Sequence, residues 1–439
     1  MDADMSTVSA LQPLASRYFD ALETRLPEQR EAELFARLPT LVARAMARAP
    51  GWARHLAGVD PHALTDRAAL AALPVLRKRD LKTLQAAEPP FGGLTTVPRG
   101  RLARIYMSPG PTFDPEGDEP DPWRVARALW AAGIRPGHLL QNCFGYHMTP
   151  TAWMIDQAAR RIGCAVIPAG PGQIEQQLEL IAELRPEAYV GTPSFLRTLL
   201  EKAAQRPAGG PGFERALLAA EALPASLRAW FAERGVGTVL QWFGTADLGC
   251  VAYESSPDSG LIVEEDSWVE IVRPGTGDPV PDGEIGEIVV TRFSDSYPMI
   301  RFATGDLSAM LPGCSACGRS NRRIRGWLGR ADQAAKVRGL FVYPEHVAMI
   351  VAGLPEVLRA RLVISGEMAN DQMELRCEMA VLPDNAQTRQ ALASRIVERV
   401  RDNTRLRADV RLLAAGSLPN DGKVIEDLRR SDVCGVDRR

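Results

Sequence analysis

The chain lacks an excess of either charge: 52 lysines and arginines face 54 aspartates and glutamates, a formal net charge of −2. That removes any broad electrostatic reason to bind nucleic acid or an anionic membrane, and a small-molecule partner becomes the default. No apolar run approaches the ~20 residues needed to cross a bilayer, and the first residues carry Asp2 and Asp4 where a secretory leader carries bases. Neither export nor membrane insertion is expected. The seven cysteines, Cys143, Cys164, Cys250, Cys314, Cys317, Cys377 and Cys434, are odd in number and scattered. They are unlike a secreted disulfide framework and read as reduced thiols of a cytoplasmic protein. Also absent are a G-x-S-x-G elbow, an H-E-x-x-H helix and a G-x-x-x-x-G-K-S/T loop, which leaves hydrolase, metalloprotease and P-loop readings without support.

What is present bounds the architecture. A chain of 439 residues is too long for one ordinary core, so two domains are the starting expectation. From Thr7 to about Gly51, apolar and charged residues mix at helical spacing. Pro74, Pro89, Pro90 and Pro98 then break the chain before a short strand, Ile105 to Ser108, and a turn-rich loop. "DPWRVARALWAAG" reads as a helix with Asp121 as N-cap, Pro122 at its first position and Gly133 at its end. Strands "HLLQNCFGY", "AVIPAG" and "EAYVGTP" alternate with helices "TPTAWMIDQAARRIGC" and "QIEQQLELIAELRP". This is the spacing of a parallel, doubly wound sheet whose strand ends deliver loops to a common ligand edge. After about Trp242, "GLIVEED", "WVEIVRP", "GEIGEIVVTRF" and the region to Leu311 predict a mainly antiparallel unit, with "PGTGDPVPDGEIGE" as a hairpin turn. Past Gly329 the pattern restarts with strand "AAKVRGLFV", helix "PEHVAMIVAGL", strands "RARLVISG" and "MELRCEMAV", helix "TRQALASRIVERVRDNTR" and strand "DVRLLAAG". That is a small α+β domain. The expected division is a large domain, residues 1–331, and a small one, residues 332–439.

Several segments carry chemistry in their wording and order. In "YPMIRFATGDLS", Tyr297 to Ser308, Gly305 permits a tight turn and the Asp306 carboxylate is the acceptor-only group suited to a vicinal diol. "GWLGRADQAAKVRGLFVYPEHVAMI", Gly326 to Ile350, and "GSLPNDGKVIEDLRR", which sets Lys423 after a glycine, follow in sequence. In this order the three resemble the adenylate-forming superfamily of acyl-CoA synthetases, nonribosomal adenylation domains and luciferases. The resemblance implies that Asp306 accepts hydrogen bonds from the ribose hydroxyls of ATP and that Arg330 reaches the ribose or phosphates. It places a hinge at Asp332, about which the small domain rotates between two half-reactions, and the small domain's first strand and turn at Lys336, Arg338 and Gly339. It makes Lys423 the bridge between carboxylate and α-phosphate oxygens as negative charge moves.

"AAEALP", Ala219 to Pro224, resembles the Gly-Ala-Glu-Pro stretch beside adenine in phenylacetate-CoA ligases, which puts Glu221 there. "LQWFGTADLG", Leu240 to Gly249, stands where that family has a Tyr-Gly-x-Thr-Glu loop. Aligned on Gly244, Phe243 is the aromatic near the purine, Thr245 lines the nucleotide, and Asp247 is the acid that holds Mg²⁺. "VGTPSFLRTLLEKA", with Gly191, Thr192 and Pro193, resembles the segment closest to the acyl pocket. Phe144, Tyr146, His147 and Met148, after the strand "HLLQNCF", are candidates for lining an aromatic-acid pocket, or else loop residues packed on the core.

The chain also departs from the family. Asp247 is one methylene shorter than Glu, and Ala246 replaces a Thr. The expected phosphate loop, Ser/Thr/Gly-rich and ending in Gly-Lys-Pro, is here "MSPGPTFDPEGDEPDPW", Met107 to Trp123. Ser108, Gly110 and Thr112 remain as possible contacts; Pro109 and Pro111 remove backbone donors, the lysine is missing, and acids follow. An acidic loop repels phosphate unless Mg²⁺ intervenes. "CSACG" supplies two of the four ligands a structural zinc takes, with Cys250 as the one further candidate. Arg322, Arg323, Arg325 and Arg330 form either a solvated face or a site for CoA or ATP phosphates.

The resemblance therefore implies an α/β protein of the adenylate-forming fold, with a large N-terminal domain of α/β subdomains and a β-rich subdomain, plus a small α+β C-terminal domain. It implies ATP, Mg²⁺ and CoA as cofactors, an aromatic or arylacetic acid as substrate, and a possible homodimer. The alternatives are transfer of the acyl group to an amine or a carrier protein, and a non-catalytic descendant that only binds a nucleotide or acyl-CoA.

Overall fold

The computed structural model describes residues 17–108, 110–206, 212–331, 335–338, 340–342, 344–366, 370–419 and 423–429. The leading helical segment forms α1 (Pro27–Arg48), α2 (Pro50–His55) and α3 (Arg67–Ala71). Pro27 opens α1, where its fixed φ suits the first turn and its missing N–H costs nothing. Leu34, Leu38, Leu41, Val42 and Ala45 recur at helical spacing and are buried against the β-rich part of the molecule.

The proline-broken stretch that follows is more ordered than its sequence suggests. It contains β1 (Leu76–Arg77), a single 3₁₀ turn at Lys78–Asp80 and α4 (Leu81–Ala87). The turn-rich loop expected after Ser108 is also corrected: β2 (Arg104–Ser108) pairs antiparallel with β3 (Thr112–Glu116), so the altered phosphate loop is the end of a β-hairpin. Pro115 in β3 disguised it, because proline argues against a strand except at an edge. The next helix, α5 (Ala126–Ala131), is shorter than expected. Pro122 lies outside it, and the Asp121 carboxylate reaches forward to accept from the N–H groups of Val125 and Ala126 instead of acting as adjacent N-cap.

From here the expected alternation holds. β4 (Leu139–Asn142), α6 (Thr151–Ile162), β5 (Ala165–Ile167), α7 (Ile174–Leu184), β6 (Ala188–Gly191), α8 (Pro193–Ala203), β7 (Arg215–Leu218), α9 (Ala225–Glu233) and β8 (Thr238–Thr245) build parallel pairings β5-β4-β6-β7-β8. At β8 the sheet turns antiparallel through β9 (Gly249–Tyr253), β10 (Leu261–Val263), β11 (Ser267–Val272), β12 (Ile285–Arg292), β13 (Met299–Leu311), β14 (Arg323–Ile324) and β15 (Gly329–Arg330). The two regions that read as separate styles are one continuous 13-stranded sheet in the order β11-β12-β13-β14-β10-β9-β8-β7-β6-β4-β5, with β1 and β15 on β13.

Arg301 fastens this sheet to the leading segment. Its buried guanidinium makes two 3.0 Å bonds to Glu270 on β11 and donates to the carbonyls of Leu73 and Gly277, both at 2.7 Å, and of Ala71 at 2.5 Å. All five N–H donors are thereby engaged.

The small domain has its own core. Within "AAKVRGLFV", β16 (Ala335–Val337) and β17 (Leu340–Val342) pair antiparallel instead of forming one strand. α10 (Pro344–Val351), β18 (Val357–Ser365), β19 (Gln372–Met379), α11 (Ala386–Thr404) and β20 (Asp409–Leu413) follow as expected, and β21 (Ile425–Asp427) completes the sheet order β20-β19-β18-β21. Ile350, Leu362, Leu375, Cys377, Ile396 and Val400 close the core. The boundary expected at Asp332 lies outside the described residues.

Candidate active site

β13 and β15 set the first half of the site. Gly305, at φ +77°, makes the turn inside β13 that an L side chain resists. Beyond it Asp306 pairs with Arg330 of β15. The buried Asp306 carboxylate accepts from the Trp327 indole N–H at 2.9 Å and from Arg330 at 3.2 Å, both on Oδ1. Its backbone N–H donates to the Thr304 hydroxyl at 3.1 Å. The acid is thus fixed in orientation by its neighbours, as a ribose-binding group requires. Trp327 had no signal in the sequence beyond its place beside Gly326.

The second half is the turn between β8 and β9. A Cβ at Gly244 would fall 2.2 Å from the Gly249 carbonyl oxygen, so this tight hairpin requires glycine there. The Thr245 hydroxyl accepts from the Leu248 N–H at 3.2 Å and closes the turn. The Asp247 side chain is then fully buried, with Lys78 Nζ 2.6 Å from its Oδ2 and no hydrogen-bond partner on its Oδ1. Phe243 is half-buried and packs against the β-rich core.

Lys78, on the 3₁₀ turn between β1 and α4, is another residue that sequence reasoning missed. Burial would lower its pKa, but the negative charge of Asp247, with Asp114 and Asp306 behind it, holds the ammonium above its ordinary value. One cation therefore senses three acids drawn from distant parts of the chain. Asp114 lies on β3, with both oxygens buried and neither in a hydrogen bond of standard geometry, the Ser108 hydroxyl being its neighbouring donor. Burial, and then the charge of Asp247, push its carboxyl well above the usual range. An ionised carboxylate buried without partners costs several kcal/mol, so this arrangement is a reservoir of unmet polarity. The phenol of Tyr297 is also buried there without a hydrogen-bond partner, and burial followed by the charges of Asp247 and Asp114 raises its pKa.

On the hairpin itself, Ser108 and Thr112 face each other across β2 and β3 with their hydroxyl oxygens 2.9 Å apart. These are two of the three loop contacts read from the sequence, and the hairpin points them inward with Asp114, while Gly110 is exposed. The uncommitted oxygens of Asp247 and Asp114 suit a hard divalent cation, which takes oxygen ligands. Among the described residues there is no group of three or more His, Cys, Asp or Glu placed to hold a metal ion. Mg²⁺ needs fewer, since it usually takes one or two carboxylates and completes its shell with phosphates and water.

The parallel half of the sheet carries the acyl-side candidates. Phe144 is buried; Tyr146 is half-buried, accepts from Asn142 at 2.9 Å and meets Trp153 edge-on at 5.2 Å. His147 is exposed, as is Met148 at positive φ. Gly191 ends β6 so close to the Tyr189 hydroxyl that a Cβ would sit 2.3 Å from it. Thr192 then caps α8, accepting from the Phe195 N–H at 3.3 Å, and Pro193 occupies the first helical turn. Glu221 accepts from the Ser194 N–H at 2.9 Å and its hydroxyl at 2.7 Å, tying the segment after β7 to the start of α8.

Other candidates lie elsewhere. Lys423 is exposed, just ahead of β21 in the small domain. The arginine run does not converge: Arg322 pairs with Asp282, Arg323 donates to the Ser259 and Pro312 carbonyls, and Arg330 serves Asp306. Cys317 is buried, accepting from the Ser315 hydroxyl at 3.1 Å, while Cys314 is exposed.

Comparison with known proteins identifies the family. Residues 145–294 match the AMP-binding enzyme family and residues 339–428 match the AMP-binding enzyme C-terminal domain. The phenylacetate-coenzyme A ligase of Thermus thermophilus is 32% identical over an alignment covering 94% of this chain and all of that protein. The chain belongs to the phenylacetate-CoA ligase family of AMP-forming enzymes. The phenylacetate-coenzyme A ligase of Escherichia coli is 28% identical, over 93% of this ligase and 97% of its own length. Among solved structures, 2-hydroxyisobutyryl-CoA ligase with its acyl-adenylate and CoA in the thioesterification state superposes with a TM-score of 0.83, at 26% identity over 96% of this chain and 95% of that one. The same protein in its postadenylation state gives 0.69, covering 95% and 94%. The ligase is thus an AMP-forming acid–thiol ligase of the adenylate-forming fold, with a large N-terminal and a small C-terminal domain.

Proposed function

We propose that the ligase activates an aromatic or arylacetic carboxylate with ATP, releasing pyrophosphate, and transfers the acyl group from the resulting adenylate to CoA. The observation that supports this reading is the Lys78 ammonium 2.6 Å from the buried Asp247 carboxylate, with the charges of Asp114 and Asp306 also acting on it. In this reading Asp306, oriented by Trp327 and Arg330, accepts from the ribose hydroxyls. Phe243 and Glu221 border the adenine, and Ser108 and Thr112 offer hydroxyls to the phosphates. Asp247 is the residue to hold Mg²⁺, which when bound neutralises the phosphates and draws electron density from the α-phosphorus.

Lys423 supplies positive charge between the attacking carboxylate and the α-phosphate oxygens, and the small domain swings about Asp332 to exchange that lysine for a CoA-binding face. The better superposition on the thioesterification state supports such an arrangement of the two domains. Phe144, Tyr146 and Trp153 favour a flat substrate, since aromatic rings meet in edge-on and offset contacts. The phenylacetate specificity in the names of its relatives points the same way.

The test is pyrophosphate release and thioester formation across arylacetic, benzoic and short aliphatic acids, with and without CoA. Arylacetates are expected to give thioester at the highest kcat/KM. A strong preference for a short hydroxy acid would remove the aromatic assignment, and turnover supported by an amine but not by CoA would move the acceptor.

A further inference from the structure

The altered phosphate hairpin has lost a lysine and gained an acid, and both changes meet at one point. Alternation along β2 and β3 turns Tyr106, Ser108, Thr112, Asp114 and Glu116 to the buried face, while Ile105 and Phe113 face out. Two acids therefore enter the interior from one strand, and their surroundings differ completely. Glu116 is saturated: Arg104 at 2.6 Å and Gln157 at 2.7 Å donate to one oxygen, and Tyr106 and the Trp123 indole donate to the other. Asp114, equally buried, has no hydrogen bond of standard geometry on either oxygen, with the Ser108 hydroxyl beside it as a weak donor. Its neighbour Asp247 also keeps one buried oxygen without a partner, and the two carboxyls are within hydrogen-bonding reach of each other. The Lys78 ammonium bonds Asp247 at 2.6 Å, and its charge also acts on Asp114.

We propose that Asp114 and Asp247 together hold the divalent cation that accompanies ATP, and that Lys78 is the resident counter-ion of this pair before the cation arrives. The proposal rests on the nucleotide-binding reading above and adds a second protein ligand to it. All the donor atoms are oxygens, so the cation is a hard one, Mg²⁺ or Mn²⁺. The substitution also gains a rationale: a loop lysine grips phosphate directly, whereas an acid there reaches phosphate through the metal. Pro109 and Pro111, which remove backbone donors, cost less when the cation carries the contact.

The test uses the full chain and Mn²⁺, followed by electron paramagnetic resonance with and without ATP and without acid substrate, alongside AMP affinity as a metal-independent measure of the nucleotide site. Asp114→Asn is expected to weaken Mn²⁺ binding in the presence of ATP at least ten-fold, with AMP affinity unchanged. Lys78→Met removes the competing cation and is expected to tighten Mn²⁺ binding without nucleotide several-fold; this arm decides the matter even if the Asp114 variant fails to fold. Wild-type Mn²⁺ affinity in Asp114→Asn, or no gain in Lys78→Met, overturns the proposal while leaving the nucleotide reading intact. Failure of the unaltered protein to bind either AMP or ATP would instead overturn the nucleotide reading, and the two-acid site with it.

Discussion

Arg301 and Asp306 lie close together on one strand, in one motif, and serve different ends. Arg301 is wholly internal, and its replacement by Met leaves Glu270 buried without its cation. Arg301→Met is expected to destabilise the large domain by about 3–5 kcal/mol, seen as a lower denaturation midpoint, because a buried charge stripped of its partner keeps its full desolvation cost. Asp306 is the proposed ribose acid, so Asp306→Ala should raise the dissociation constant for AMP at least ten-fold, and it should also lower that midpoint because it leaves the largely buried Arg330 side chain without this carboxylate. Lys423→Ala should reduce acid-dependent pyrophosphate exchange by about 10²–10³, the usual effect of removing one group that stabilises developing charge. These roles were unevenly legible. The ordered motifs and their resemblance to the adenylate-forming family pointed to Asp306, Asp247 and Lys423 as candidates. Lys78, Trp327 and Asp114 left none, since their importance comes from burial and from neighbours far away in the chain.

Among the elements, α5 and the β2–β3 hairpin departed most from expectation, each for a local physical reason. A proline inside β3 hid a strand, and Asp121 caps α5 by reaching over an irregular turn instead of adjoining the helix. The long amphipathic helices and the alternating strand–helix units were legible because their periodicity extends over many residues, whereas β1, β14, β15 and β21 are too short to show one. The Asp121 cap also makes a pH prediction. Burial raises its carboxyl to about 6, against the partial opposition of the Ala126 N–H, Arg161 and the Val125 N–H. Between the unfolded value of 3.8 and about 6, the folded chain retains a proton that the unfolded chain has released. Stability from this group therefore falls as pH rises through that window. Compared with Asp121→Asn, which has no such proton, the unaltered protein should lose about 2 kcal/mol between pH 4.5 and 7.5, measured as the difference in unfolding free energy at the two pH values.

At the scale of the molecule, the two domains close separate cores, and the described nucleotide-side acids all belong to the larger one. A chain ending at Ala331 should accordingly keep AMP affinity within a few-fold of the full chain while thioester formation drops to background, a contrast that calorimetry and a CoA-consumption assay resolve. Within the larger domain, β13, which carries Asp306, and β4 before Phe144 belong to the same hydrogen-bonded sheet. In the proposed function, the distance from nucleotide to acid is thus inscribed in the scaffold like graduations on a ruler. Acceptance of a bulkier or smaller acid must then come from recarving the loops that overhang this edge, since sliding one graduation past another would mean breaking the ruler.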